Sequence, residues 1–532
     1  MKNLLLFILL FYSCFTFAQQ DAWVFLTDKQ NVETSINNPI TILTQQAIDR
    51  KNAHGVVIDE RDVPVNEAYI SQLKQQTGIT VMAKSKWMNA IHVRGTETDI
   101  SALTNLSFVA TIEFADKSIN TGRFSGHNNK FEIEESLVDF NYGDTQNQIE
   151  MINANTLHIN DFTGEGLIIA VLDTGFPNVN TMNAFQRIRD NGDLLDGYDF
   201  VDRTDNIYAY TANNHGTKVL STMAGYVEGS YVGSAPDASY YLFRTEDAAS
   251  ENPVEESYWV EAAERADSLG VDIINTSLGY KTYDNPNYSY TNSDLNGETA
   301  FITRGANIAF EKGMLIVVSA GNSGVNGVGA PADSPNVLSI GSVDENGIYS
   351  SFSSQGSAIQ PTQKPDVVAR GGLAFVIGDN DIIVNNNGTS FSAPIISGGL
   401  ACLWQALPTA SNLNIMQYVR MSASQYTTPD YFLGYGIPDL ELAYTIGLSL
   451  QEIEIVSIKI YPNPVNEELH INFPNTNEVF QLNIYDVLGN LVYNTILNNS
   501  FNTIKTSFLS SGMYVLTFET NGILKTFKLL KS

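Results

Sequence analysis

The chain has 532 residues, a formal net charge of -29 and a pI of about 4.4. Its 43% hydrophobic content supplies packed cores and excludes global disorder, and its length suggests roughly two to four domains. So acidic a surface repels nucleic acid and anionic membranes, so no nucleic acid partner is expected and the charge is read as serving solubility.

Met1-Lys2-Asn3 leads into a run from Leu4 to Phe17 with almost no polar residues, and Ala18 stands at a cleavage point with Thr16 two before it. One early lysine, a short apolar core and a small-residue exit predict a secretory signal peptide over 1–18. Cys14 raises a lipoprotein alternative, for which Phe11-Tyr12-Ser13 is a poor context. No other stretch approaches the roughly 18 apolar residues of a membrane span, so no transmembrane segment is expected. Cys14 and Cys402 are the two cysteines. Signal removal leaves Cys402 alone, so no intrachain disulfide is expected, and Cys402 reads as a small buried hydrophobe.

The next domain is expected over 19–116. Strand-like runs at Ala22–Phe25, Ile79–Met82, Ala90–Val93 and Phe108–Phe114 enclose helical patterns at Leu43–Lys51 and Val65–Thr77, which predicts a small α+β unit. Residues 117–144 read as a linker and processing region, polar from Ser118 to Lys130 and exposed to proteolysis.

From 145 to 447, buried strands alternate with helices. The run Gly166–Leu172 is continuously apolar, as a parallel strand covered on both faces should be, and Met314–Ser319 is a second. Val271–Ile274 is a shorter run broken by Asp272, and helical patterns cover Thr217–Tyr226, Glu256–Leu269 and Thr299–Lys312. The fold class is therefore α/β, a doubly wound parallel sheet. Over 457–532, short strands at Leu469–Phe473, Gln481–Tyr485, Leu491–Tyr493, Met513–Phe518 and Ile523–Leu529 alternate with turn residues, which predicts a small all-β sandwich.

Four local sequences carry chemistry. The strand at 166–172 ends in Asp173-Thr174-Gly175, a carboxylate at the edge where α/β sheets hold ligands. Asn213-Asn214-His215-Gly216-Thr217 follows, and His215 is the only histidine between 159 and 450. Ser319-Ala320-Gly321-Asn322 ends another strand; an amide there suits a developing oxyanion, and losing one such donor costs on the order of 100- to 1000-fold in rate. Asn387-Gly388-Thr389-Ser390 opens a long apolar run, Ile395 to Ala406. Backbone N–H groups at a helix start suit an oxyanion. Ser392, Ala393 and Pro394 are expected to form a small first turn, where proline costs no hydrogen bond. Taken alone, each has a plain structural reading: a helix-capping Asp, a structural His, a turn Asn and a Ser-rich cap.

Together, in the order Asp173, His215, Asn322, Ser390, these motifs resemble the subtilisin-like (subtilase) serine peptidases. Gly233-Ser234-Ala235-Pro236, Lys364-Pro365-Asp366-Val367 and Gly434-Tyr435-Gly436 with Asp439 resemble that family's framework. The resemblance covers roughly 150 to 447. It implies a catalytic triad of Asp173, His215 and Ser390, an oxyanion donor in Asn322, and a cleft walled by Ser277, Leu278, Gly279, Ala320 and Gly321 in which a polypeptide substrate binds as an added strand. Tyr280 departs from the pattern, standing where many relatives carry a second glycine.

The same resemblance makes 19–116 an inhibitory prodomain, removed by the enzyme itself within 116–148; the alternative is a permanent accessory domain. Tyr461-Pro462-Asn463-Pro464, Ile484–Gly489, Gly512-Met513-Tyr514 and Lys525–Lys528 resemble the sorting domain of type IX secretion cargo. That likeness implies signal-peptide export, passage across the outer membrane, and the type IX secretion machinery as a partner; a carbohydrate- or protein-binding module is the alternative. The expected activity is a secreted serine endopeptidase, acting as a monomer without a cofactor. An inactive adhesin on the same scaffold and an acyl-transferring ligase are the competing readings. Structural calcium is common in such enzymes, and Asp190, Asp193, Asp196, Asp202 and Asp205 gather in loops, but no metal ligands are assigned.

Overall fold

The computed structural model describes residues 19–119, 140–456, 458–472, 480–487, 489–497, 501–520 and 523–532. The expected signal peptide and most of the expected linker lie outside them. The chain forms two compact units, one to Tyr444 and one from Thr445 to Ser532.

The first unit opens with an antiparallel sheet of β1 (Gln19–Leu26), β2 (Thr80–Ser85), β3 (Ala90–Thr96) and β4 (Val109–Phe114), in the order β2-β3-β1-β4. Alternation explains β1: Ala22, Val24 and Leu26 enter the core shared with Ile70, Leu73, Ile91 and Val93. Trp23, on the opposite face, stacks on Phe301 with ring centroids 4.4 Å apart. The sequence between β1 and β2 includes the helices α1 (Gln45–Ala53) and α2 (Glu67–Lys74). Each starts at a capping side chain: Thr44 accepts from Ala47 N, and Asn66 accepts from Ala68 N.

The larger sheet has seven parallel strands: β5 (Ile168–Asp173), β6 (Leu194–Asp199), β7 (Ser239–Arg244), β8 (Ile273–Thr276), β9 (Leu315–Ser319), β10 (Leu338–Val343) and β11 (Val367–Arg370). Their order is β6-β7-β5-β8-β9-β10-β11. Strands β5, β8 and β9 match the three apolar runs. Among the other four, Gly197 and two aspartates interrupt β6, and Ser339, Gly341 and Ser342 interrupt β10. Asp272 does not spoil β8, since it precedes the strand and its Oδ2 accepts from Ile168 N at 2.9 Å.

Helices α3 (His215–Ala224), α4 (Val254–Leu269), α5 (Phe301–Glu311) and α6 (Thr389–Ala406) pack with this sheet. Helix α6 is buried along its whole length, which is why its sequence is apolar all round rather than striped. From β5 the chain steps out to the edge strand β6 and back to β7 on one side, then crosses to the other side of β5 and runs outward from β8 to β11. Ligands in such sheets collect at the carboxyl ends of the strands beside that reversal. Asp173 ends β5 and Ser277 directly follows β8.

The second unit is all-β beyond the helix Leu440–Val456, which covers the junction. A three-stranded and a four-stranded sheet share one core, with Leu469, Ile471 and Ile504 from the first meeting Leu482, Ile484, Leu516 and Leu529 from the second. This is the expected sandwich. Among the described residues, no helix is long and apolar enough to cross a membrane.

Candidate active site

Helix α6 delivers Ser390 at its second position, because the helix begins at Thr389. Pro394 therefore lies inside the helix and not in a free first turn, which corrects the sequence expectation. Proline has no N–H, so the Ser390 carbonyl four residues earlier loses its helical donor. Ser277 supplies the replacement: its Oγ donates to the Ser390 carbonyl oxygen at 2.9 Å in a buried setting. Replacing Ser277 by alanine is expected to strand that carbonyl and to cost about 1–3 kcal/mol. A urea midpoint shift, measured in an inactive background so that self-digestion does not intrude, checks this.

Ser390 is 8% exposed, and its own hydroxyl donates to the Ser277 carbonyl oxygen at 3.2 Å. Facing it, His215 begins α3 with its backbone N–H held by Asn213 Oδ1 at 2.8 Å. The imidazole Nδ1 lies 2.7 Å from Asp173 Oδ1, and Asp173 is 1% exposed. Thr174 N also donates to that oxygen at 2.7 Å. Burial disfavours a charged imidazole, but attraction and hydrogen bonding from Asp173 outweigh it, so His215 titrates above the ordinary histidine value of 6.5. Gly216 is required for packing: a Cβ there would meet Gly175 O at 2.6 Å and Asp173 Cβ at 3.1 Å. A side chain would push α3 off the turn that carries Asp173.

Asn322 sits beyond β9. Its Oδ1 accepts from Thr389 N at 2.9 Å and from Thr389 Oγ1 at 3.0 Å. That fixes the amide oxygen toward α6 and leaves Nδ2 to donate. Thr389 is a bracing residue that the sequence reading did not single out. Its position beside Ser390 was visible, but its partner lies 67 positions away.

His215, Ser277, Leu278, Asn322 and Ser390 line one cavity of about 490 Å³, with Asp173 behind the imidazole. Gly279, Ala320 and Gly321 flank that cavity rather than line it: Gly279 is exposed, Ala320 is fully buried, and Gly321 N is held by Thr389 Oγ1 at 3.1 Å. The loop aspartates have other partners. Asp190 pairs with Gln186, Asp193 with Ser239 and Asp202 with Arg244, while Asp196 lies 3.8 Å from Arg265. Among the described residues, no group of three or more His, Cys, Asp or Glu could hold a metal ion.

The N-terminal domain docks along α4 and α5 of the same framework. Glu264 of α4 accepts from Ser85 Oγ at 2.6 Å and from the backbone N–H groups of Lys86 and Trp87, both at 2.9 Å. Buried Asp267 pairs with Arg50 at 2.6 Å and Lys51 at 2.7 Å, and buried Lys312 pairs with Asp62 at 2.8 Å. Removing one member of such a pair leaves a buried charge uncompensated, at about 3–5 kcal/mol. The interface is thus held by partners that must all be present together.

Comparison with known proteins agrees with this geometry. The family described as "Subtilase family" matches residues 164–436, "Peptidase S8 propeptide domain, Bacteroidota" matches 21–132, and "Secretion system C-terminal sorting domain" matches 459–532. Subtilisin Savinase of Lederbergia lenta is 27% identical over 56% of this chain and 97% of its own length. Alkaline elastase YaB of Bacillus sp. (strain YaB) is 29% identical over 56% of this chain and 69% of its own. Subtilisin E of Bacillus subtilis (strain 168) is 28% identical over 56% of this chain and 70% of its own.

Proposed function

Because this chain belongs to the subtilase family, we propose that Asp173, His215 and Ser390 are its catalytic triad and Asn322 its oxyanion donor. The protein is a serine endopeptidase made with a propeptide, and its C-terminal sorting domain directs export across the outer membrane by type IX secretion. The observation that supports the residue roles is the Asp173–His215 pair meeting Ser390 and Asn322 in one cavity.

A peptide lies along Ser277–Gly279 as an added strand, with Ala320 and Gly321 opposite. His215 takes the Ser390 hydroxyl proton through Nε2 as the oxygen attacks the scissile carbonyl. The hydroxyl first leaves its bond to the Ser277 carbonyl, a rearrangement that substrate binding drives. Asp173 holds Nδ1 protonated and stabilises the imidazolium. Asn322 Nδ2 and the Ser390 backbone N–H receive the oxyanion. His215 then protonates the leaving amine, and water releases the acyl group from Ser390. All of this chemistry is carried by the protein's own groups, in a monomer. The propeptide is cut within 116–148 by the same site.

A fluorophosphonate probe reacts only with a serine activated in this way. Treated with it, the mature protein is expected to gain one adduct, mapped by tandem mass spectrometry to Ser390. An adduct elsewhere, or none alongside measurable hydrolysis, excludes these roles.

A further inference from the structure

Glu246 stands two residues beyond β7 and is half-buried in the wall of the cavity that holds His215 and Ser390. Tyr280, the residue that departs from the family pattern, is fully buried and donates its hydroxyl hydrogen to Glu246 Oε1. One carboxyl oxygen is thereby anchored, in a residue that lines the cleft. Among the described residues, no lysine, arginine or histidine pairs with Glu246, and the charges that raise its pKa most are Glu251, Asp173 and Asp247, with Glu255 beside them. Lys218 and His215 of α3 face the same cavity.

An extended peptide along Ser277–Gly279 sends successive side chains to opposite sides. In the binding mode proposed above, the residue whose carbonyl meets Ser390 points between the Ser277–Gly279 and Ala320–Gly321 walls. The residue before it therefore turns toward His215 and Glu246. We propose that Glu246 is a specificity-determining residue that selects lysine or arginine in the substrate position immediately preceding the residue whose carbonyl is attacked. The inference rests on the catalytic roles given above. A cationic side chain there gains an ion pair in a partly desolvated cleft and relieves the repulsion of Glu246 by Glu251, Asp173 and Asp247.

Burial, reinforced by Glu251, Asp173 and Asp247, raises Glu246 to about 8. Its charge is therefore present above that pH and lost below it, whereas a substrate lysine stays charged throughout (about 10.4). Selection for lysine should strengthen as pH rises.

The test uses three peptide anilides that differ only in carrying lysine, alanine or glutamate before the residue joined to the anilide. The mature enzyme is expected to show a lysine-to-alanine ratio of kcat/KM of roughly tenfold at about pH 9, smaller at about pH 6.5, with glutamate poorest. In Glu246→Gln the ratio should fall to near one at both pH values. In Glu246→Lys the glutamate peptide should overtake the lysine peptide. Each ratio is internal to one enzyme, so a general loss of activity cancels. Should neither variant fold, the parent's ranking and its pH trend decide. A parent that ignores this position, or a lysine preference that survives Glu246→Gln, overturns the inference and leaves the triad standing. Failure to cleave any of the three overturns both.

Discussion

Replacing Ser390 by alanine is expected to leave the precursor at full length, with the propeptide still attached, and to abolish hydrolysis of casein. The alanine removes the hydroxyl that the Asp173–His215 pair is proposed to activate in the cavity. The scale is set by nucleophile knockouts in subtilisin, which cost roughly a millionfold in kcat; that is a measurement on a family member, not a value derived from this chain. Intact mass and casein hydrolysis of parent and variant, side by side, check it. The fold should survive, because the variant loses only the 3.2 Å side-chain bond to the Ser277 carbonyl, while the Ser277 hydroxyl still holds the backbone carbonyl of residue 390. A variant that still sheds its propeptide would mean that another nucleophile or an external peptidase matures the protein.

Asp173→Asn should be the next most damaging change, at about 10,000-fold in kcat, the loss recorded for the equivalent substitution in a serine protease of another fold. An asparagine amide can present its NH2 to Nδ1, which turns the proton onto Nε2, the nitrogen that must accept from Ser390. The same change has a sign that pH can read. A general base works only when neutral, so activity in the parent falls as acid protonates His215, with a midpoint above 6.5 because Asp173 favours the charged ring. In Asp173→Asn that attraction is gone, while burial and the Lys218 charge, both of which oppose protonation, remain. The acid limb of kcat/KM should therefore move below 6.5. A residual activity whose limb stays where the parent's lies would contradict the assigned partnership.

Much of the site was legible because its chemistry is local. Asp173, His215, Asn322 and Ser390 each sit in a turn where a strand ends or a helix begins, and small residues mark such turns. The helices around them were found by their apolar pattern, and β5, β8 and β9 by their continuous apolar runs. Strands β6 and β10 were not found, because polar residues and glycine interrupt their apolar character. Pro394 was misread because the start of α6 depends on a hydrogen bond that arrives from another strand's end.

The sequence by itself determined the short turns in which Asp173, His215, Asn322 and Ser390 stand, the alternation that makes a parallel sheet, and the order of three domains. Those properties depend on residue type and on spacing along the chain, both of which are local. Only the tertiary structure decided who holds whom. Thr389 braces Asn322, Ser277 replaces the donor that Pro394 lacks, Asp267 receives Arg50 and Lys51, and Tyr280 anchors Glu246 in the cleft. These partners meet because of the order in which the strands assemble, and for residues more than a hundred positions apart, such as Ser277 and Ser390, no local preference encodes that meeting.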